Sequence, residues 1–309
     1  MGDRSERDRI VLQMSYFFII NPNAGKKHAG IKARLEKMFH GRKTLFEAEF
    51  TRERGHATEL AAKAVIAGFR KVIAVGGDGT IRETATALIG KENVLGILPC
   101  GSGNGLARNL YLPLSFEAAL KGLFEWSPRS IDAGLANGHA FFCAAGVGLD
   151  ADVAHDFNTG SHSRGILPYV WHAVRRSLFY RPRSLTACLD GRLIELAPLL
   201  AAALNGVQYG GGARMAPGAY LDDGFLDFCS VKNASLPRLV AAVPALFNGK
   251  LASHTDIYSA SRARLIELDC GGGVWYHLDG EDFFSADGKI RISVVPAALK
   301  VLAPKPCTV

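Results

Sequence analysis

The 309-residue sequence has no CxxC pair among its six cysteines, no Walker A loop, and no apolar run near the roughly 20 residues that a membrane-crossing helix needs. Without paired cysteines a zinc site has no basis. Cys100, Cys143, Cys188, Cys229, Cys270 and Cys307 sit mostly inside apolar runs, where a free thiol behaves as a small hydrophobe, as expected in a reducing cytoplasm. The longest apolar stretches, such as Leu196–Leu204, fall well short of a bilayer span, so a soluble or peripheral protein is expected. Met1–Arg9 is polar and lacks the apolar core of a secretion signal, and residues 1–15 are expected to form a disordered tail. The basic residues are not interleaved with aromatics in RNA-binding patterns, which leaves nucleic acid without support as a partner.

What is present is a chain with 48% hydrophobic and 21% charged residues, enough for two compact domains with cores of their own. The net charge of +7 favours an anionic partner, such as nucleotide phosphates or an acidic membrane surface. From Tyr16 to about Asp132, short apolar runs alternate with helical periods. Strands are expected at Tyr16–Ile20, Thr44–Phe50, Lys71–Val75 and Val94–Pro99. Between them Ile31, Leu35, Met38 and Phe39 recur at helical spacing, as do Leu60, Ala64 and Val65, then Ile81, Ala85, Leu88 and Ile89. Ser115 is placed to cap a further helix. This half reads as a Rossmann-like, three-layer α/β domain over residues 16–132.

Residues 133–289 change character, to strands joined by turn dipeptides. Asn137-Gly138 separates Ile131–Ala136 from His139–Ala145, and Asp190-Gly191 separates Ser184–Leu189 from Arg192–Leu204. An antiparallel β-sandwich domain is expected, with the C-terminal strands Ile290–Val295 and Leu299–Leu302, about 290–303, as candidates to return to the first domain. A helical insert at about Arg164–Tyr180 mixes Tyr169, Trp171, Phe179 and Tyr180 with Arg175, Arg176 and Arg181. That composition suits either a helix on an anionic membrane or one covering the sandwich.

The chemistry concentrates in glycine turns. Lys71–Val75 runs into Gly76-Gly77-Asp78-Gly79-Thr80 and then a helix, and Val94–Pro99 runs into Gly101-Ser102-Gly103-Asn104-Gly105. A strand, a glycine turn and a helix place bare backbone N–H groups and a positive helix end where phosphate binds. Asp78 supplies a carboxylate of the kind that holds Mg²⁺. Either turn alone could equally be an ordinary βα connection. The pair would face one crevice of a parallel sheet. Neither turn fits GxGxxG, because Gly105 lies one residue early. After the first strand comes Asn21-Pro22-Asn23-Ala24-Gly25 with Lys26 and Lys27.

These turns in this order, with Thr51 and Gly55-His56-Ala57 after the second strand, resemble the motif set of the diacylglycerol kinase catalytic domain, whose superfamily includes sphingosine and ceramide kinases. The resemblance spans about Phe17 to Leu302 and implies an active site in the cleft between the two domains. It implies an ATP site carried by Asn21, Pro22, Asn23, Ala24, Gly25, Thr51, Gly76, Gly77, Asp78, Gly79, Thr80, Ile81, Arg82, Ser102 and Asn104. Asp78 would lie nearest the nucleotide-bound Mg²⁺, with Asp132 in a shared water network. His277-Leu278-Asp279-Gly280-Glu281 resembles the family's Asp-Gly-Glu motif, which makes Glu281 the implied general base. Asp223, with backbone oxygens near Tyr220 and Phe225, resembles a second, structural Mg²⁺ site.

The implied function is ATP-dependent phosphorylation of a lipid hydroxyl, with diacylglycerol the leading acceptor, by a cytoplasmic enzyme peripheral to the inner face of an anionic membrane, with a homodimer open. The alternatives are a sphingoid base, ceramide or another long-chain alcohol, and, further off, an NAD kinase or a non-catalytic nucleotide- or lipid-binding module. Gly105 stands where bacterial diacylglycerol kinases commonly carry an aspartate, which loosens the choice of lipid.

Overall fold

The computed structural model describes residues 15–25, 30–42, 44–159, 175–177 and 180–305. Lys26, Lys27, Cys307, the N-terminal tail to residue 14 and most of the 164–180 insert lie outside the described residues. The chain folds into two units, one up to Ile131 with Ala298 onward and one from Asp132 to Ala297.

In the first unit, strands β1 (Tyr16–Ile20), β2 (Phe46–Phe50), β3 (Lys71–Gly76) and β4 (Val94–Pro99) form a parallel sheet in the order β2-β1-β3-β4. The last strand, β18 (Lys289–Ala303), adds its C-terminal end parallel to β4 through Lys300 and Val301. Every residue of β1 and β4 is buried, as a parallel sheet covered on both faces requires. Side chains alternate between those faces. Tyr16, Phe18 and Ile20 meet α1 (Ile31–Phe39) and α5 (Phe116–Glu125) through Ile31, Leu35, Phe39, Phe116 and Leu120. Helices α2 (His56–Ile66) and α3 (Asp78–Leu88) pack on each other and on β1 and β3, completing three layers. Ser115 does occupy the N-cap of α5, but its hydroxyl donates to the Glu117 carboxylate at 3.4 Å instead of capping a backbone N–H.

The second unit is a β-sandwich. One sheet runs β14 (Tyr258–Ala263), β13 (Leu226–Lys232), β10 (Pro198–Leu204), β7 (Ala144–Gly148), β16 (Val274–Leu278) and β17 (Glu281–Ser285), each pair antiparallel. Facing it, the N-terminal part of β18 continues through β15 (Leu265–Asp269), β8 (Leu185–Leu189) and β9 (Arg192–Leu196). The hairpin of β5 (Ser127–Ala136) and β6 (His139–Phe141) flanks them. The shared core takes Ala145, Val147, Ala201, Phe228, Tyr276 and Leu278 from one sheet and Leu185, Ile266, Leu268, Ile290 and Ile292 from the other. Helix α6 (Leu149–Thr159) packs on β7, β16 and β17.

Three expectations for single elements change. Arg192–Leu204 is two strands in different sheets, divided at Ala197, because Pro198 has no N–H to continue a ladder. His139–Ala145 breaks at Phe142–Cys143, where backbone N–H groups turn to a side-chain carboxylate. The two C-terminal strands are one, β18, whose two ends serve different units. A further helix, α7 (Leu236–Asn248), is not among the expected elements; it holds Pro237 in its first turn and Pro244 inside.

Candidate active site

The order β2-β1-β3-β4 makes the chain wind one way from β1 and the other way from β3. The loops that follow these two strands therefore meet at the carboxyl edge of the sheet, where open α/β sheets bind ligands. The loop after β1 is fixed by Asn21, whose N–H donates to Val75 O at 2.9 Å and whose Nδ2 donates to Thr80 Oγ1 at 3.0 Å. Its Oδ1 accepts the Asn23 N–H at 2.9 Å and holds the turn over Pro22. Gly25 has φ +71°, and a Cβ there would lie 2.4 Å from the Cys100 carbonyl oxygen. The loops after β1 and β4 therefore touch through bare backbone.

The loop after β4 closes on the one after β3. A Cβ on Gly101 would stand 2.7 Å from Gly77 Cα, and one on Gly103 would stand 2.6 Å from Asp78 Oδ2. Asp78 Oδ2 accepts the Asn104 N–H at 2.8 Å and Oδ1 accepts the Gly105 N–H at 2.6 Å. Asn104, at φ +54°, donates from Nδ2 to Gly101 O at 2.8 Å and accepts the Gly101 N–H at 3.0 Å. Burial pushes the Asp78 carboxyl above the ordinary carboxylate range, opposed by the N–H groups of Gly105 and Asn104 and by the Arg108 charge. Arg108 is itself aimed by Nε donation to Gly103 O at 2.9 Å. The first turn of α3 begins at Asp78, so its N–H groups open onto this cradle of glycines.

All the expected nucleotide-site residues thus lie at one edge of the first unit, and they divide by role. Asn23, Gly25, Gly77, Gly79 and Ser102 present backbone or side chain at the surface of the cradle. Thr80 and Asn104 are buried and hold the loops to one another. Ile81 lies in the core, its N–H spent on Gly77 O at 3.0 Å. The Thr51 N–H donates to Ile20 O at 2.8 Å, which sets the loop after β2 beside the one after β1. One residue that sequence reasoning missed is Glu83, whose carboxylate accepts the N–H groups of Gly55 at 2.8 Å and Ala57 at 3.1 Å. It ties the start of α2 to α3. The only sequence signal was an acid one turn into the helix that follows a glycine loop.

The remaining expected residues lie in the second unit. Glu281 opens β17 directly after Asp279 (φ +51°) and Gly280 (φ +87°), the paired left-handed residues of a tight hairpin turn with right-handed twist. Asp279 is the anchor of that turn. Its Oδ2 accepts the Phe142 N–H at 2.8 Å, and its Oδ1 accepts those of Cys143 at 2.8 Å and Ala144 at 3.0 Å. Asp132 is 2% exposed, and its carboxylate accepts the N–H groups of Gly224 and Ala297, both at 2.7 Å. Tyr220 is exposed, Asp223 Oδ1 accepts the Phe225 N–H at 3.0 Å, and Asp223 Oδ2 pairs with the Arg262 guanidinium. A metal on that turn would share the Asp223 carboxylate with the Arg262 guanidinium. Among the described residues no three His, Cys, Asp or Glu side chains form a ready metal cluster.

A parallel sheet with three glycine loops and a helix N-terminus at its switch point, joined to a β-sandwich that presents a carboxylate on a hairpin, defines a nucleotide-dependent phosphotransferase. Residues 15–136 match the diacylglycerol kinase catalytic domain, and residues 143–303 match the YegS C-terminal NAD kinase beta sandwich-like domain. A diacylglycerol kinase of Mycobacterium tuberculosis is 31% identical over 256 residues, covering 81% of this chain and 82% of its own. A probable YegS-like lipid kinase of Pseudomonas savastanoi is 32% identical, covering 84% of each chain. The fold matches that of a diacylglycerol kinase from Bacillus anthracis with a TM-score of 0.72, at 20% identity over 94% of this chain and 97% of the other. The chain belongs to the diacylglycerol kinase family of ATP-dependent lipid kinases.

Proposed function

We propose that this lipid kinase transfers the ATP γ-phosphoryl group to the primary hydroxyl of diacylglycerol, giving phosphatidic acid, at an anionic membrane surface to which it binds peripherally from the cytoplasm. The observation that carries the nucleotide half is the cradle, where a Cβ at Gly25, Gly101 or Gly103 would collide with neighbouring loops. Bare backbone with N–H groups at a helix start suits phosphate oxygens. The mycobacterial diacylglycerol kinase, similar over four-fifths of this chain, supports the acceptor.

Phosphoryl transfer asks little of the protein beyond positioning and charge neutralisation. Magnesium bound with ATP would neutralise charge on the phosphates, and Asp78 is the carboxylate that suits it. The Asp78 carboxylate accepts the N–H groups of Asn104, Gly105 and its own residue, and a carboxylate has about four lone-pair sites, so ligand capacity remains. The glycine loops orient the phosphates, and Arg108 adds positive charge beside Asp78. Glu281 takes the proton from the lipid hydroxyl as it attacks the γ-phosphorus.

Incubating the pure protein with γ-labelled ATP, Mg²⁺ and a total lipid extract tests the acceptor, and labelled phosphatidic acid is the expected product. A second reading, a sphingoid base or ceramide, rests on Gly105, whose bare N–H meets Asp78 where many bacterial diacylglycerol kinases place an aspartate. Label in those species instead would replace the first reading, and no labelled lipid at all would overturn both. Glu281→Gln should keep ATP binding and lower kcat by about 10²–10⁴-fold. Near-native turnover in that variant removes Glu281 from the mechanism.

A further inference from the structure

Beneath the hairpin that presents Glu281 lies a buried polar cluster that the nucleotide site does not use. Asp150, in the first turn of α6, and His277, on β16, are 5% and 4% exposed. His277 Nε2 lies 3.0 Å from Asp150 Oδ2 and 2.7 Å from the hydroxyl of Tyr209, and that hydroxyl also meets Asp150 Oδ2. Tyr209 comes from a short strand, β11 (Gln208–Gly210). A fourth element leaves room for them. His277 pairs with Gly146 across β16 and β7, and a Cβ on Gly146 would stand 2.4 Å from Asp150 Oδ2, 2.5 Å from His277 Nε2 and 2.9 Å from Tyr209 Oη.

The protons follow from the partners. Gly280 N–H donates to His277 Nδ1 at 3.4 Å, a long bond, so Nδ1 is the acceptor and Nε2 carries the hydrogen. The Nε2–H then faces Asp150 and the Tyr209 oxygen, and the Tyr209 O–H donates to Asp150 Oδ2. Every buried polar atom of the trio has a complementary partner. Apolar side chains of similar volume commonly fill such a space at lower cost, so fold stability alone gives no reason for a buried Asp–His–Tyr set.

The placement supplies a reason. Gly280 is the second residue of the two-residue hairpin turn, and its N–H donates to His277 Nδ1. Asp279 fixes one side of the turn to Phe142, Cys143 and Ala144. His277 fixes the other, and it is itself held by Asp150 and Tyr209. Leu278 and Glu281 are the paired residues that flank the turn. We propose that Asp150, Tyr209 and His277 are positioning residues for Glu281, acting through the Gly280 N–H to hold the Asp-Gly turn, and with it the carboxylate, in the orientation that meets the acceptor hydroxyl.

This inference rests on the reading of Glu281 as the base. The test uses the full chain with diacylglycerol mixed micelles and Mg·ATP, measuring kcat, KM for ATP and the melting temperature of each variant. His277→Phe should lower kcat by about 10–100-fold with KM for ATP unchanged, the scale set by small misplacement of a reacting group. His277→Asn, whose amide oxygen can accept from Gly280 in the place of Nδ1, should recover a large part of that loss. Tyr209→Phe removes only a hydroxyl, keeps the fold, and should lower kcat about threefold or more, through looser orientation of His277. Native kcat in folded Tyr209→Phe and His277→Phe, alongside the expected loss in Glu281→Gln, overturns the positioning role alone. Native kcat in Glu281→Gln overturns the base assignment and the inference with it. A fall in kcat that is not recovered at all in His277→Asn also overturns the route through Gly280.

Discussion

At the edge of the first unit's sheet the groups aimed outward are largely backbone, and side chains such as Asn21, Thr80, Asn104 and Asp78 hold three glycine loops against one another. In the second unit Glu281, the proposed base, follows a hairpin turn held by side chains, Asp279 on one side and His277 with Asp150 and Tyr209 on the other. The difference matches the two tasks proposed for them. A phosphate chain is met by many N–H groups at close range, which needs glycine and a helix end. A single proton transfer needs one carboxylate at one angle, which needs a rigid support for one side chain.

Asp78→Ala attacks the first arrangement at its centre and should lower kcat/KM for ATP by about 10³-fold, the scale of losing a major electrostatic group from such a site. A loss smaller than tenfold in a folded variant would mean the loops hold phosphate without this carboxylate. Asp279→Ala strikes the second arrangement and should cost about 2–4 kcal/mol, because three backbone N–H groups lose their acceptor together. Denaturant unfolding measures it, and a change within 0.5 kcal/mol, the about-neutral range for surface substitutions, would show that water replaces the carboxylate freely.

Two glycines sharpen the contrast between crowding and strain. Gly25→Ala faces both a left-handed backbone and a Cβ 2.4 Å from a carbonyl oxygen that cannot swing away, so a loss of about 2–3 kcal/mol with weakened ATP binding is expected. Gly280→Ala has the left-handed backbone but nothing within 4 Å of the added carbon, so only strain of about 1–2 kcal/mol remains. Equal losses would remove crowding as the reason for Gly25. The smallest effect is expected at Cys229, inside the second unit. Burial pushes its thiol up to about 12, partly offset by the bond to the Tyr258 hydroxyl at 3.1 Å, so the reactive thiolate is absent near neutral pH. Mass spectrometry after iodoacetamide treatment of the native protein at pH 8 should find Cys229 unmodified and find it alkylated only after unfolding.

Legibility tracks sequence distance. Tyr16–Ile20 and Val94–Pro99 could be read as buried strands because each is a short unbroken apolar run bounded by turn residues. Asn137-Gly138, Asp190-Gly191 and Asp279-Gly280 could be read as hairpin turns because that dipeptide tolerates two successive left-handed residues, and all three pairs have positive φ. Arg192–Leu204 misled because a run of apolar residues does not say when a strand changes sheets. Glu83 was invisible because its partners, Gly55 and Ala57, lie in an earlier loop, and an acid in a helix's first turns has many ordinary reasons to be there.

The sequence by itself determined the alternation of strands and helices, the antiparallel second half and the glycine turns, because these are local properties of φ preference, side-chain period and backbone access. Only the tertiary structure decided what the acidic residues do. Asp78 stands 26 and 27 residues from the N–H groups it holds, Asp279 135 to 137 from those it collects, and Asp150 127 from His277. Hydrogen bonds are short and directional, so a carboxylate's role is fixed by the few donors that folding brings within about 3 Å of it.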